Sequence, residues 1–322
     1  MLISRRWVVG GLGLLGAGLA QRGHAQAAST EFHVGYQKAG LLGAAKEQGI
    51  FERRLKPLGV EVKWSEFEIG PRLMEALGTD AIDFGWVGDV PAIAAQSAGA
   101  KFVYVECMPW SAHGMLVPEG SAIRSLAEIK GKKVAVARNT TGESVLLKLL
   151  AKAGFAYGDI VPVFLSPADA SKALARGDVD IWIVHDPFFA FAERVQKARA
   201  IATTKDIVNG ISVYVANPGL ATKYPKMLAA VIDEVKNVTA WAAQHREKFA
   251  EATSAAIGMD LDAVRIAVGR SDLVAGPVTR ELQKAYHAAV RGAHPKAKEW
   301  CSWVREGRRY PAPVRLVRGR RR

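Results

Sequence analysis

Leu77-Gly-Thr-Asp-Ala-Ile-Asp83 runs on into Phe-Gly-Trp-Val-Gly-Asp-Val-Pro91, and the pattern returns later as Leu174-Ala-Arg-Gly-Asp-Val-Asp180 followed by Ile-Trp-Ile-Val-His-Asp-Pro187. Each copy reads as the end of a helix, a turn, an apolar strand and then an Asp. Setting Asp83 against Asp180 also sets Asp89 against Asp186, with a common offset of 97. A turn of this kind before a strand is common by itself. The paired terminal Asp residues argue for two related α/β units.

Working outward, Glu31–Tyr36 and Val60–Phe67 alternate as strands, and Gly70-Pro71 opens a helix carrying Leu73, Met74 and Leu77 inward. Ala81–Val87 and Phe102–Glu106 read as further strands. A second unit begins near Met115 with strands at Val134–Ala137, Ile160–Leu165 and Val179–Val184 and a helix at Ala168–Arg176, and it ends through Gly210–Val215. Strands separated by helices predict α/β lobes with parallel, doubly wound sheets. The remainder is helical: Leu228, Val231, Ile232, Val235, Val238 and Trp241 keep a helical period, with shorter helices around Leu261–Val268 and Arg280–Arg291.

In Val134-Ala-Val-Ala-Arg-Asn-Thr-Thr-Gly-Glu-Ser144 a strand passes through a small polar loop into a helix. Asn139, Thr140, Thr141 and Gly142 all suit a helix N-terminus, where unpaired N–H groups and a partial positive charge can hold an anion. An ordinary capped helix uses the same residues. Ligands of open α/β sheets sit beyond the carboxyl ends of strands. The Thr140 loop, Asp89 and Asp186 all lie at such ends, which places them around one cleft between the lobes.

The chain has 322 residues and a net charge of +13. Residues 1–27 carry +3 and residues 296–322 carry +8, leaving a body near +2, so nothing marks a nucleic-acid surface. Arg5-Arg6, the apolar run Trp7–Ala20 and Ala25-Gln26-Ala27 describe a signal peptide, 1–27, with Sec or twin-arginine export open and a mature start near Ala28. Cys107 and Cys301 form neither a metal cluster nor a disulfide scaffold and read as unpaired. The seven histidines give no ligand spacing, and no phosphate loop or nucleophile elbow is present, so no catalytic residue, metal or cofactor is expected. An exported, two-lobed protein with an anion-ready cleft and no catalytic motif fits a solute receptor that closes by a hinge.

Several segments resemble, in order, the aliphatic-sulfonate-binding proteins of ABC transporters, within a sulfonate/taurine/nitrate group: Phe32–Lys38, Glu66-Phe67 with Gly70-Pro71, Ala81–Gly85 with Gly88–Pro91, Ser125–Ala135, and Asp178–Trp182 with Asp186–Phe188. The resemblance covers roughly 31–290. It implies a type II periplasmic-binding-protein fold, with lobe 1 from 28–114 plus 216–322 and lobe 2 from 115–215. It implies a periplasmic, monomeric receptor that delivers an alkanesulfonate to an inner-membrane permease and touches no nucleic acid. By that resemblance Gln37, Trp86, Gly88, Asp89, Asn139, Thr140, Thr141, Gly142, His185 and Asp186 line the cleft. Taurine, nitrate or another small anion is the alternative ligand. An enzyme on the same fold, akin to pyrimidine-precursor synthases, is the alternative class, but would need a cysteine cluster. Two positions depart from the family pattern: Trp86-Val87 replace small hydroxyl residues, and His185 replaces a Trp. The tail from Trp300 to Arg322 does not resemble the family's ending; a shifted reading frame is the first explanation, with a basic lipid-touching arm or a disordered end as the alternatives.

Overall fold

The computed structural model describes residues 30–109, 111–204 and 211–277. The expected signal peptide, the helix near 280–291, Trp110, Cys301 and the basic tail lie outside them.

The first lobe starts with β1 (Thr30–Tyr36), α1 (Leu41–Glu47), α2 (Ile50–Leu55) and β2 (Val60–Glu66). It continues with α3 (Gly70–Gly78), β3 (Phe84–Gly88), α4 (Asp89–Ser97) and β4 (Val103–Pro109). The second lobe holds β5 (His113–Val117), β6 (Lys133–Val136), α5 (Thr141–Lys152), β7 (Val161–Phe164) and α6 (Pro167–Arg176), then β8 (Ile181–His185), α7 (Phe188–Arg194) and β9 (Arg199–Thr203). The chain returns to the first lobe in β10 (Ile211–Ala216) and ends in α8 (Pro218–Lys223), α9 (Pro225–Gln244), α10 (Arg246–Ile257) and α11 (Leu261–Arg270).

Among the described residues the two sheets run β2-β1-β3-β10-β4 and β7-β6-β8-β5-β9. In each, four strands run in the same direction and one, β10 or β5, is inserted antiparallel to both of its neighbours. The expectation of wholly parallel sheets is corrected here. So is the boundary of the second lobe: strand 211–216, assigned to it from sequence, pairs with β3 and β4 in the first sheet. The second sheet already begins at His113 rather than near Met115. Both inserted strands follow a crossing between lobes, and an apolar run satisfies either sheet equally well, so alternation alone does not assign them.

Helices cover both faces of each sheet, which is why the inner strands carry long apolar runs. Phe32 and Val34 of β1 and Val134, Ala135 and Val136 of β6 are fully buried. On the first sheet, α3 packs Leu73, Met74 and Leu77 on one face, while α1, α2 and α9 pack the other. On the second, α5 presents Val145, Leu146, Leu149 and Leu150, opposite α6 and α7. Local chemistry sets the helix ends. Ser166 accepts the Asp169 N–H to cap α6, Pro167 occupies its first turn, and Gly177 (φ 76°) stops it in the left-handed conformation that glycine adopts without strain.

The echo is a physical equivalence. Asp83 Oδ2 accepts the His33 N–H at 2.8 Å, and Asp180 Oδ2 accepts the Lys133 N–H at 2.8 Å. Each Asp thus ties the approach to its own strand to the neighbouring one, at the middle of β1 and at the start of β6. No described helix is long and apolar enough to cross a membrane.

Candidate functional site

The N-termini of α4 and α5 meet where the lobes face each other. Gly88 ends β3 with φ −63° and ψ 163°, and a Cβ placed there would lie 2.2 Å from Thr141 Oγ1 of the opposite lobe. Glycine is required for the approach, not for a turn. The Thr141 hydroxyl donates to Asp89 Oδ1 at 3.3 Å, and the same oxygen accepts the Val90 N–H at 2.8 Å. Lys148 of α5 feels the Asp89 charge across the junction, although burial holds its ammonium below the ordinary value.

An opening of about 730 Å³ lies beside this junction. Of the residues expected to line it, Gln37, Trp86, Gly88, Thr140, Thr141, Gly142 and His185 do so. Asp89, Asn139 and Asp186 do not. Asp89 is 3% exposed and turned into the α4–α5 junction. Asn139 (φ 58°) is exposed, and its N–H donates to the Glu143 carboxylate. Asp186 accepts the Ala190 N–H at 3.0 Å in the first turn of α7 and lines a neighbouring chamber.

Both threonine hydroxyls at this helix start are spent within the protein. Thr140 Oγ1 donates to the Ala137 carbonyl at 2.7 Å, and Thr141 donates to Asp89. A hydroxyl has one proton, so neither offers it to an anion in this arrangement. What remains is the backbone: the N–H groups of Thr141 and Gly142, in the first turn of α5, have no intrahelical acceptor. Glu143, in that same turn, accepts from both the Asn139 N–H and the Tyr157 hydroxyl and offsets part of the helix-end positive charge. Burial, with Glu143 adding to it, pushes the Tyr157 hydroxyl pKa well up.

No Lys or Arg lines the opening among the described residues. Its other donors are neutral. Gln37 is held by its amide donating to the Trp86 carbonyl at 3.4 Å, and the Trp86 indole N–H has no partner among the described residues. His113 and His185 face each other across β5 and β8 with ring centroids 5.7 Å apart. Burial, then the neighbouring His185, lowers the His113 pKa to about 3, and burial lowers that of His185 to about 4, so both rings are neutral. His113 Nδ1 lies 3.0 Å from the Ser111 carbonyl, which only accepts, so Nδ1 carries the proton.

Sequence reasoning missed Ser111, His113 and Ser212, which enter with the crossing strands, and Glu68-Ile69-Gly70 beyond β2, of which Glu68 is the one charged side chain in the described lining. The rule that ligands gather at strand carboxyl ends reaches the β2 loop; nothing local marks the crossings. Trp182 is 1% exposed in the second lobe's core and also lines the opening.

A second lobe–lobe junction joins α7 to α11. Arg270 pairs with Glu193 and lies 3.5 Å from Asp186, with its guanidinium carbon 4.3 Å from the Phe189 ring centroid. Arg194 pairs with Asp260 and Asp262, and Ala190 packs on Ala263 and Ala267. Burial raises the Asp186 pKa to about 6 against the opposing pull of Arg270.

The chain resembles a protein of Escherichia coli (strain K12) named as aliphatic sulfonates-binding, with 34% identity over 70% of each chain. Among solved structures it resembles the alkanesulfonate-binding protein SsuA from Xanthomonas axonopodis pv. citri bound to MOPS: 30% identity, 80% of this chain and 90% of that one covered, TM-score 0.75. The desulfurization enzyme DSZB shares the fold at 14% identity, with 89% and 95% covered and a TM-score of 0.58. The family described as NMT1/THI5 like matches residues 38–249. With that span matched and two-lobed sheets of the same kind, the chain belongs to the NMT1/THI5-like family.

Proposed function

We propose that this chain is the exported substrate-binding protein of an ABC importer, capturing an organosulfonate between its lobes and handing it to an inner-membrane permease as a monomer. The observation that carries this reading is the pair of opposed helix N-termini beside an opening lined by neutral donors. A sulfonate needs several hydrogen-bond donors and no full counter-charge, and helix-end N–H groups supply them. Gln37, Trp86, Gly88, Thr140, Thr141, Gly142 and His185, joined by Ser111, His113 and Ser212, form its ligand shell. Relatives named for sulfonate binding support the ligand class. Residues 1–27, read as a signal peptide, support release into the periplasm. Calorimetric titration of the purified protein with ethanesulfonate, taurine, nitrate and sulfate tests the assignment. Saturable heat with ethanesulfonate, and little with nitrate or sulfate, is the expected result; heat with none of the four would overturn it.

A further inference from the structure

Glu68 carries the one formal charge in the described lining of the opening, and its sign is that of a sulfonate. The cations around it are engaged elsewhere. Lys38, next to Gln37, lies 3.3 Å from Glu66, whose carboxylate also accepts the Tyr36 hydroxyl at 3.3 Å. Arg72 of α3 pairs with Glu75. Glu68 itself is exposed and has no hydrogen-bond or ion-pair partner among the described residues. The neutral rings of His113 and His185 supply no counter-charge either.

The position of this carboxylate follows from the loop that bears it, between β2 and α3. Two residues on, a Cβ on Gly70 would lie 2.9 Å from Pro91 Cγ in the first turn of α4. The loop is thus pressed against the helix whose N-terminus meets α5, and Glu68 stands at the rim of the opening on that side. A plain alkanesulfonate entering there is repelled by it. A sulfonate with an ammonium at its far end is attracted, and one with a second anionic group is repelled twice.

We infer that Glu68 sets specificity by charge, selecting sulfonates with a cationic far end over neutral-tailed ones of the same shape and rejecting those with a second anionic group. The inference rests on the receptor reading above and narrows its ligand class. The helix-end N–H groups of α5 hold the anion, and Glu68 reads what is attached to it. A solvent-facing ion pair changes affinity by up to about fivefold.

Taurine and propanesulfonate share one shape, with an ammonium in the first where the second has a methyl group; sulfopropanoate puts a carboxylate there. The test is calorimetry of the intact protein with these three at neutral pH, repeated on Glu68→Gln and Glu68→Lys, with melting curves to check folding. In the wild type, taurine is expected to bind about fivefold tighter than propanesulfonate, with sulfopropanoate weakest. Added salt should narrow that gap. Glu68→Gln should bring taurine and propanesulfonate within about twofold of each other, and Glu68→Lys should reverse the order, with sulfopropanoate tightest. A ratio between ligands of one shape does not respond to a general loss of folding or lobe closure, which weakens all three alike. Equal wild-type binding of taurine and propanesulfonate, or a gap that survives both substitutions, overturns the inference and leaves the receptor reading standing. Failure of every sulfonate to bind, ethanesulfonate included, overturns both.

Discussion

Thr141 at the start of α5 donates its hydroxyl to Asp89 at the start of α4, so two helix N-termini on opposite lobes share a carboxylate. Asp186, the counterpart of Asp89 in the internal repeat, likewise meets the opposite lobe, through Arg270. Each repeat therefore ends in an acid that ties its lobe to the other one.

Thr141→Val removes the hydroxyl but keeps its shape. The expected loss of sulfonate affinity is about 1–2 kcal/mol, acting through lobe closure because the proton is spent on Asp89. A double-mutant cycle with Asp89→Asn separates this from direct ligand contact: the two losses should fall short of additive. Strict additivity in calorimetry would refute the shared-carboxylate role.

Gly88→Ala makes the same point sterically. The backbone there suits alanine, so the fold should survive, while the new Cβ, 2.2 Å from Thr141 Oγ1, wedges the lobes apart. Ligand affinity should fall by at least about tenfold, a shift of about 1.4 kcal/mol in the closing equilibrium. Small-angle scattering should show a more open molecule with ligand present. Unaltered affinity would mean that the junction relaxes without cost.

The histidines set the pH response. With His113 at about 3 and His185 at about 4, both stay neutral well below their ordinary 6.5. Sulfonate affinity should therefore stay flat from about pH 8 to about pH 5, where a cationic imidazole would strengthen it steeply. Stability behaves differently. Depressed pKa values mean that the unfolded chain binds protons that the native one refuses, so their contribution is full above 6.5 and drains away as pH falls toward 4 and 3. Denaturant melts across that window check this, and His185→Gln should make the decline shallower.

Asp186 has the opposite sign. Its native pKa of about 6 lies above the ordinary 3.8, so its contribution is complete below 3.8 and lost as pH rises through 6. Asp186→Asn keeps an acceptor for the Ala190 N–H and discards the buried charge, and Arg270 retains Glu193. The variant should be more stable than wild type by about 1–2 kcal/mol near neutral pH, with the gap closing in acid. A variant less stable at every pH would show that the Arg270 attraction outweighs desolvation.

The repeat around Asp83 and Asp180, the apolar strands and the helix start at Thr141 were legible because each rests on local pattern: alternation, a turn, a cap. The cleft's position followed, since strand carboxyl ends gather on one side. What the sequence hid was long-range. Nothing in Ile211–Ala216 says that it slots between β3 and β4, and so Ser111, His113 and Ser212 could not be placed. The roles of Thr140 and Thr141 also depended on acceptors, Ala137 and Asp89, that only tertiary geometry supplies. Asp89 and Asp186 were expected in the cleft because they end the right strands, yet the helix turns that they open carry their side chains into the lobe–lobe junctions.

The inserted strand β10 bears on how the molecule comes into being. Val213 lies between Val87 and Cys107, strands made long before it. The first sheet is thus left with an unfilled slot until residue 216 is available, whereas the second sheet closes with residues 113–203 alone. As the chain emerges from its N-terminus, the later-made lobe can be the first to finish, and the earlier one must wait for the chain to come back.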